Sequence, residues 1–248
     1  KIIHLDVPNY IQIRSSTSTE KPTATQTSSP TTTQAKCNTV TEKVSSIPNL
    51  DRIDQEQLPL DGKYKYPSSD GFGVNVYIVD TGINLDNVEF EGRAKFGGTL
   101  ESIGISVNNA TESAIGLGIH VVVAAGNFGV DACDFTPASA PNAITVSATE
   151  AMSDNFPNFS NFGPCVNILA PGVNITAAGN KRSTDLMTLT GTSQAAPHVA
   201  GAVALIISSS GNRSPAEMKI ELDNLSTKDV INGLYFPDRP ITPNRLLR

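Results

Sequence analysis

Gly191-Thr192-Ser193-Gln194-Ala195-Ala196-Pro197-His198-Val199-Ala200-Gly201 constrains this chain more than any other stretch. A Gly-Thr-Ser turn is followed by Ala195, Ala196, Val199, Ala200, Ala202, Val203, Leu205 and Ile206, small and apolar on nearly every side. Such a helix has to be covered almost all round, which demands a sheet beneath it and further layers beside it. Ser193 then falls at the helix N-terminus, where unsatisfied backbone N–H groups and the helix dipole favour an oxyanion. A lone serine in that place is usually an N-cap, but the length of the motif makes it a candidate nucleophile.

Two apolar runs end in polar residues that suit the same chemistry. Val76-Tyr77-Ile78-Val79-Asp80-Thr81-Gly82-Ile83 places a carboxylate at the carboxyl end of a strand, where open α/β sheets hold their ligands. Val121-Val122-Val123-Ala124-Ala125-Gly126-Asn127 ends in an amide that can donate to a developing oxyanion. Ordinary turn roles for Asp80 and Asn127 are the bland alternative. Val79-Asp80-Thr81-Gly82 also fits an apolar-Asp-Thr-Gly aspartic-protease signature, but the helix after Ser193 is out of place in that all-β class.

With Phe159-Ser160-Asn161-Phe162-Gly163 and Leu169-Ala170-Pro171-Gly172, these segments together resemble the subtilisin-like serine proteases from about Asn49 to Leu247, most nearly their fungal, proteinase K and cerevisin type. The resemblance implies an α/β fold with a parallel sheet and flanking helices, and a serine-type endopeptidase acting on protein or peptide substrates. It implies Ser193 as nucleophile, Asp80 as the residue that orients a histidine and Asn127 as oxyanion donor. Ala124, Ala125 and Gly126 become the wall of the substrate pocket. Cys133 and Cys165 come together as a disulfide near the specificity pocket, which leaves Cys37 odd.

The histidine is the difficulty. Nothing between Gly82 and His120 matches the family's His-Gly-Thr-His type of segment, and the chain has three histidines. His198 follows Ser193 by five residues on one helix, which turns it about 140° away and lifts it about 7.5 Å. His120 precedes Asn127 by seven residues, about 23 Å of extended chain, at the opposite end of the strand. His4 lies far outside the motifs. Only 47 positions separate Asp80 from Asn127, room for one strand-helix-strand crossover and not several. The likeness stops near Gly98 and resumes near Val107. The expectation is a sheet truncated by loss of central strands, the histidine helix and the strand that would carry substrate, and hence a chain without meaningful peptidase activity. A non-catalytic pseudoprotease or peptide-binding module is the alternative.

The remaining features set bounds. A net charge of −6 without a basic stripe argues against nucleic acid, and no apolar run reaches the length of a membrane span. Residues 1–14 read as a propeptide remnant, which makes the chain's own propeptide a candidate partner. Residues 15–46 read as a disordered linker, since 14 of the 25 residues from Ser15 to Thr39 are Ser or Thr. Residues 47–248 then form the incomplete peptidase domain. Sequons at Asn109, Asn158, Asn174, Asn212 and Asn224 suit a glycoprotein of the secretory route, secreted or vacuolar. No cofactor is expected. Proteinase K-like members hold calcium with carbonyls near Pro141 and Ala143 and a carboxylate where this chain has Asn167, and a neutral amide there weakens a hard-cation site; no metal is assigned.

Local patterning predicts strands over Asn75–Val79, Ile119–Ala124, Ala143–Ala148 and Val166–Leu169. It predicts helices over Asn109–Leu117, Ser193–Ser208 and Pro215–Asn224.

Overall fold

The computed structural model describes residues 11–12, 39–80, 83–96, 107–234 and 240–248. The strands are β1 (Ile11–Gln12), β2 (Val40–Val44), β3 (Lys63–Pro67), β4 (Ala94–Lys95), β5 (Val122–Ala124), β6 (Ile144–Thr149), β7 (Ile168–Pro171), β8 (Ile175–Ala178), β9 (Leu186–Leu189), β10 (Thr227–Lys228) and β11 (Arg245–Leu246). The α-helices are α1 (Pro48–Arg52), α2 (Val107–Gly116), α3 (Thr192–Ser210) and α4 (Pro215–Leu225).

A strand buried at every position must have layers on both faces, and β6 is that strand: all six of its residues are buried. It lies between β5 and β7 in a five-stranded sheet of order β10-β11-β7-β6-β5. The β5–β6, β6–β7 and β7–β11 pairs are parallel, and β10 is antiparallel to β11. Helix α3 covers one face, where Ala195, Val199 and Val203 pack with Ile144, Val146, Ile168, Met218 and Leu222. Ala125, Ala138, Phe162, Val166 and Leu169 form a second cluster. The expected subtilisin-like α/β architecture is therefore present, with a mixed sheet.

Helix boundaries follow local chemistry. Gly191, with φ +154°, starts α3, and Gly211, with φ +87°, ends it. The Ser214 hydroxyl accepts from the Glu217 N–H while Glu217 reaches back to the Ser214 N–H, a capping box at the start of α4. Pro197 lies within α3 and has no N–H, so the Ser193 carbonyl receives no bond from it.

Three expectations need correction. Asn75–Val79 is irregular rather than a strand. Among the described residues the sheet ends at β5 and offers that run no ladder, so Tyr77 and Val79 stand 54% and 76% exposed despite being apolar. Strand β5 begins at Val122 instead of Ile119, because its register against β6 starts at Val122 opposite Ile144. The linker reading fails beyond Thr39: Val40–Val44, within residues 15–46, pairs antiparallel with Lys63–Pro67. The Ser/Thr-rich residues up to 38 lie outside the described residues. Ile11–Gln12, within the proposed propeptide remnant, pairs in parallel with Ala94–Lys95. No described helix is long and apolar enough to cross a membrane.

Candidate active site

The start of α3 and the end of β5 are tied together by one threonine and one asparagine. Asn127 Oδ1 accepts from the Thr192 N–H at 2.8 Å and from the Thr192 hydroxyl at 3.0 Å. An N–H can only donate, so the Asn127 atom facing it must be the oxygen. The amide NH₂ group is thereby left as the donor end of Asn127. The Gly126 N–H donates to Thr192 Oγ1 at 3.1 Å, which completes the tie.

Ser193 is the second residue of α3 and is half-buried. Its N–H belongs to the first turn, which precedes any intrahelical acceptor. Asn127 lies against the same turn: a Cβ placed on Gly191 would be 3.4 Å from Asn127 Nδ2. A helix N-terminus beside an amide donor can stabilise negative charge on an oxygen there.

The Ala124–Gly126 run, expected to wall the substrate pocket, is held by Asn161. Its Oδ1 accepts from the Phe128 N–H at 3.0 Å and the Val130 N–H at 3.3 Å, while Nδ2 donates to the Ala125 carbonyl at 2.9 Å. Asn161 is fully buried. Ala125 is buried as well, whereas Ala124 and Gly126 are half-buried. Gly126 has φ +106°, and a Cβ there would come within 2.5 Å of Asn161 Nδ2. Glycine is required by both the backbone angle and the close approach. Thr192 and Asn161 carry positioning roles that the motifs contained without revealing; only their distant backbone partners show them.

Asp80 is exposed at the end of the irregular 74–80 segment, which belongs to no strand. The structure therefore joins Asn127 to the start of α3 and gives Asp80 no strand to hold it.

Neither described histidine is available as a base for Ser193. His198 is 2% exposed. Asn49 Nδ2 donates to its Nε2 at 2.8 Å, and its Nδ1 donates to the Gln194 carbonyl at 2.8 Å. Both ring nitrogens are engaged, and burial lowers the pKa to about 4, so the ring is neutral. His120 precedes β5, at the opposite end from Asn127, and meets Asn212 Oδ1 at 2.8 Å. His4 lies outside the described residues.

Cys133 and Cys165 are bridged, with α-carbons 5.3 Å apart. Cys165 packs against the cluster that contains Ala125. Cys37 lies outside the described residues.

Calcium does not fit the place the family resemblance would give it. The Pro141 and Ala143 carbonyls both accept from the Lys219 ammonium, at 3.1 and 2.9 Å. Asn167 Oδ1 is taken by the Thr145 N–H at 2.8 Å. Among the described residues no group of three or more His, Cys, Asp or Glu side chains could hold a metal.

This helix on this sheet defines the subtilisin-like fold class. Sequence comparison agrees: the subtilase (peptidase S8) family pattern matches residues 94–235, more than half of the chain, and the protein belongs to that family. The matched span includes Asn127 and Ser193 and begins after Asp80. An extracellular serine proteinase of Thermus sp. (strain Rt41A) is 33% identical, over 76% of this chain and 64% of the relative. Proprotein convertase subtilisin/kexin type 9 of Rattus norvegicus is 45% identical over 56% of this chain and 21% of the relative. Subtilisin-like protease 8 of Arthroderma benhamiae is 28% identical over 69% of this chain and 54% of the relative. The chain thus spans between about one fifth and two thirds of these relatives' lengths. The crystal structure of a cold adapted subtilisin-like serine proteinase superposes with a TM-score of 0.72 at 28% identity, covering 83% of this chain and 98% of that one.

Proposed function

We propose that this chain descends from a secreted subtilisin-like serine endopeptidase of the fungal proteinase K and cerevisin type, and that as it stands it does not hydrolyse peptide bonds. One observation carries the reading: Ser193 has no histidine within the described residues that can take its proton. His198 is locked at both nitrogens and His120 is at the wrong end of the sheet. A serine hydroxyl at neutral pH is a poor nucleophile without an adjacent base. In subtilisin, the worked case for this effect, losing the histidine alone costs about 2 × 10⁶ in turnover. Asp80, which in an intact triad would orient the imidazole, lies on a segment that no described histidine adjoins in sequence.

The missing histidine belongs to a block absent between about Gly98 and Val107, together with central strands and the strand for substrate. The exposed apolar side chains of Tyr77 and Val79 support that reading, because they lack the neighbours such strands would provide. The Arthroderma relative supports the fungal type, and the Thermus relative, an extracellular enzyme by name, supports a secretory route. Residues 1–14 remain our candidate propeptide remnant and 47–248 the incomplete peptidase domain.

The second reading is a non-catalytic peptide-binding pseudoprotease. It is favoured by the intact Asn127–Thr192 tie, which keeps donors ready for a carbonyl oxygen without needing a base. The test incubates the 248-residue chain and its Ser193→Ala variant with casein. Equal background hydrolysis is expected, and serine-dependent hydrolysis would overturn the inactive reading. Retained binding of an extended peptide, unaffected by Ser193→Ala, is the outcome expected of the pseudoprotease.

A further inference from the structure

The loop that links the disulfide segment to β6 is fastened by charged side chains from two helices. From α4, the Lys219 ammonium donates to the Pro141 and Ala143 carbonyls at 3.1 and 2.9 Å. From α2, Glu112 accepts from the Asn142 N–H at 3.0 Å and from Asn142 Nδ2 at 2.7 Å. Asn108, also on α2, donates to Ser139 Oγ at 2.9 Å. Three consecutive residues, Pro141, Asn142 and Ala143, are thus gripped alternately by a cation and an anion.

We infer that the Lys219 ammonium is a built-in cation that fills the place calcium would take between the Pro141 and Ala143 carbonyls, making this loop independent of the metal. Two convergent carbonyls create a negative spot that a cation must answer, and an ammonium with three donors answers it by hydrogen bonds instead of coordination. The third candidate ligand cannot contribute a charge. Asn167 is neutral, and its oxygen is already spent on the Thr145 N–H in the register that joins β6 to the following strand. Burial presses the Lys219 amine towards its neutral form, and the Glu112 carboxylate opposes that pressure. Glu112 itself is held below the usual carboxylate range, chiefly by the Asn142 side chain. The two charges therefore stabilise one loop from opposite sides.

The loop matters for the site because it returns the chain to β6, whose partner β5 leads into Gly126 and Asn127. Ala140 and Ala143 pack in one cluster with Val123 of β5. Lys219 is accordingly a positioning residue, acting on the pocket through the packing of β5.

The experiment compares thermal unfolding of the full chain in EDTA and in excess calcium, together with equilibrium binding of calcium itself. The wild type is expected to melt at the same midpoint in both and to bind no calcium stoichiometrically. Lys219→Met should lower the midpoint by several degrees. Lys219→Ala combined with Asn167→Asp should acquire a midpoint that rises with calcium, a gain that a merely structural lysine would not produce. Stoichiometric calcium binding by the wild type, a calcium-dependent wild-type midpoint, or a Lys219→Met protein as stable as wild type would overturn the inference. Should either variant fail to fold, the wild-type binding measurement still decides it.

Discussion

The two arms of the candidate site differ in how they are held. Asn127 lies three residues beyond a strand paired with β6, is bonded twice to Thr192, and follows a glycine pinned against buried Asn161. Asp80 ends a run of equally apolar character that pairs with no strand of the sheet, and leaves Tyr77 and Val79 largely in solvent. Similar sequence patterns thus have opposite fates. An apolar run becomes a strand only when neighbours supply its ladder bonds and cover its faces, so a functional residue at its tip is only as well placed as the strand's partners allow.

Substitutions in the Asn127 arm should be costly, and those at the exposed apolar positions of the 75–79 run nearly free. Leu169→Ala on β7 opens the buried cluster that Leu169 shares with Ala125 and should cost about 2–5 kcal/mol in denaturant unfolding. A cost below that of an exposed site would break the contrast. Protonation of His198 comes next. Its pKa is about 4 in the fold and near 6.5 when unfolded, so between these values the unfolded chain binds more protons. Its contribution to stability is therefore complete above pH 6.5 and is lost as pH falls towards 4, with a slope of up to about 1.4 kcal/mol per pH unit. Unfolding free energies that stay flat across that window would contradict a buried neutral ring.

Gly126→Ala should cost about 1–3 kcal/mol, because its Cβ meets the Asn161 amide at 2.5 Å. The variant sharpens the comparison, since it strikes the Asn127 arm alone. Val79→Ser should change stability by no more than about 0.5 kcal/mol, the ordinary range for a surface position. A larger loss would mean that the Asp80 run is covered in solution.

The sequence made α3, α4, β6 and the Cys133–Cys165 pairing legible because each carries a strong local or family signal. Helix α3 runs Thr192–Ser210 against an expectation of Ser193–Ser208, and α4 ends at Leu225, one residue beyond Asn224. The antiparallel pairs β2–β3 and β8–β9 were missed: the exposed positions of β2 and β9 break the apolar pattern that periodicity needs. Asn75–Val79 failed for the converse reason, a strong local pattern without tertiary partners. The roles of Thr192, Asn161 and Lys219 depend on side chains reaching backbone groups 31 to 78 residues away, a pairing that no local window contains.

The central claim is that the oxyanion arm survives without a base to activate Ser193. Labelling with a fluorophosphonate probe tests it most directly, because phosphonylation needs an activated serine and no productive peptide geometry. The full chain should label no faster than Ser193→Ala at neutral pH. Labelling that depends on Ser193 and exceeds that control would contradict the account and place an unrecognised base beside the serine.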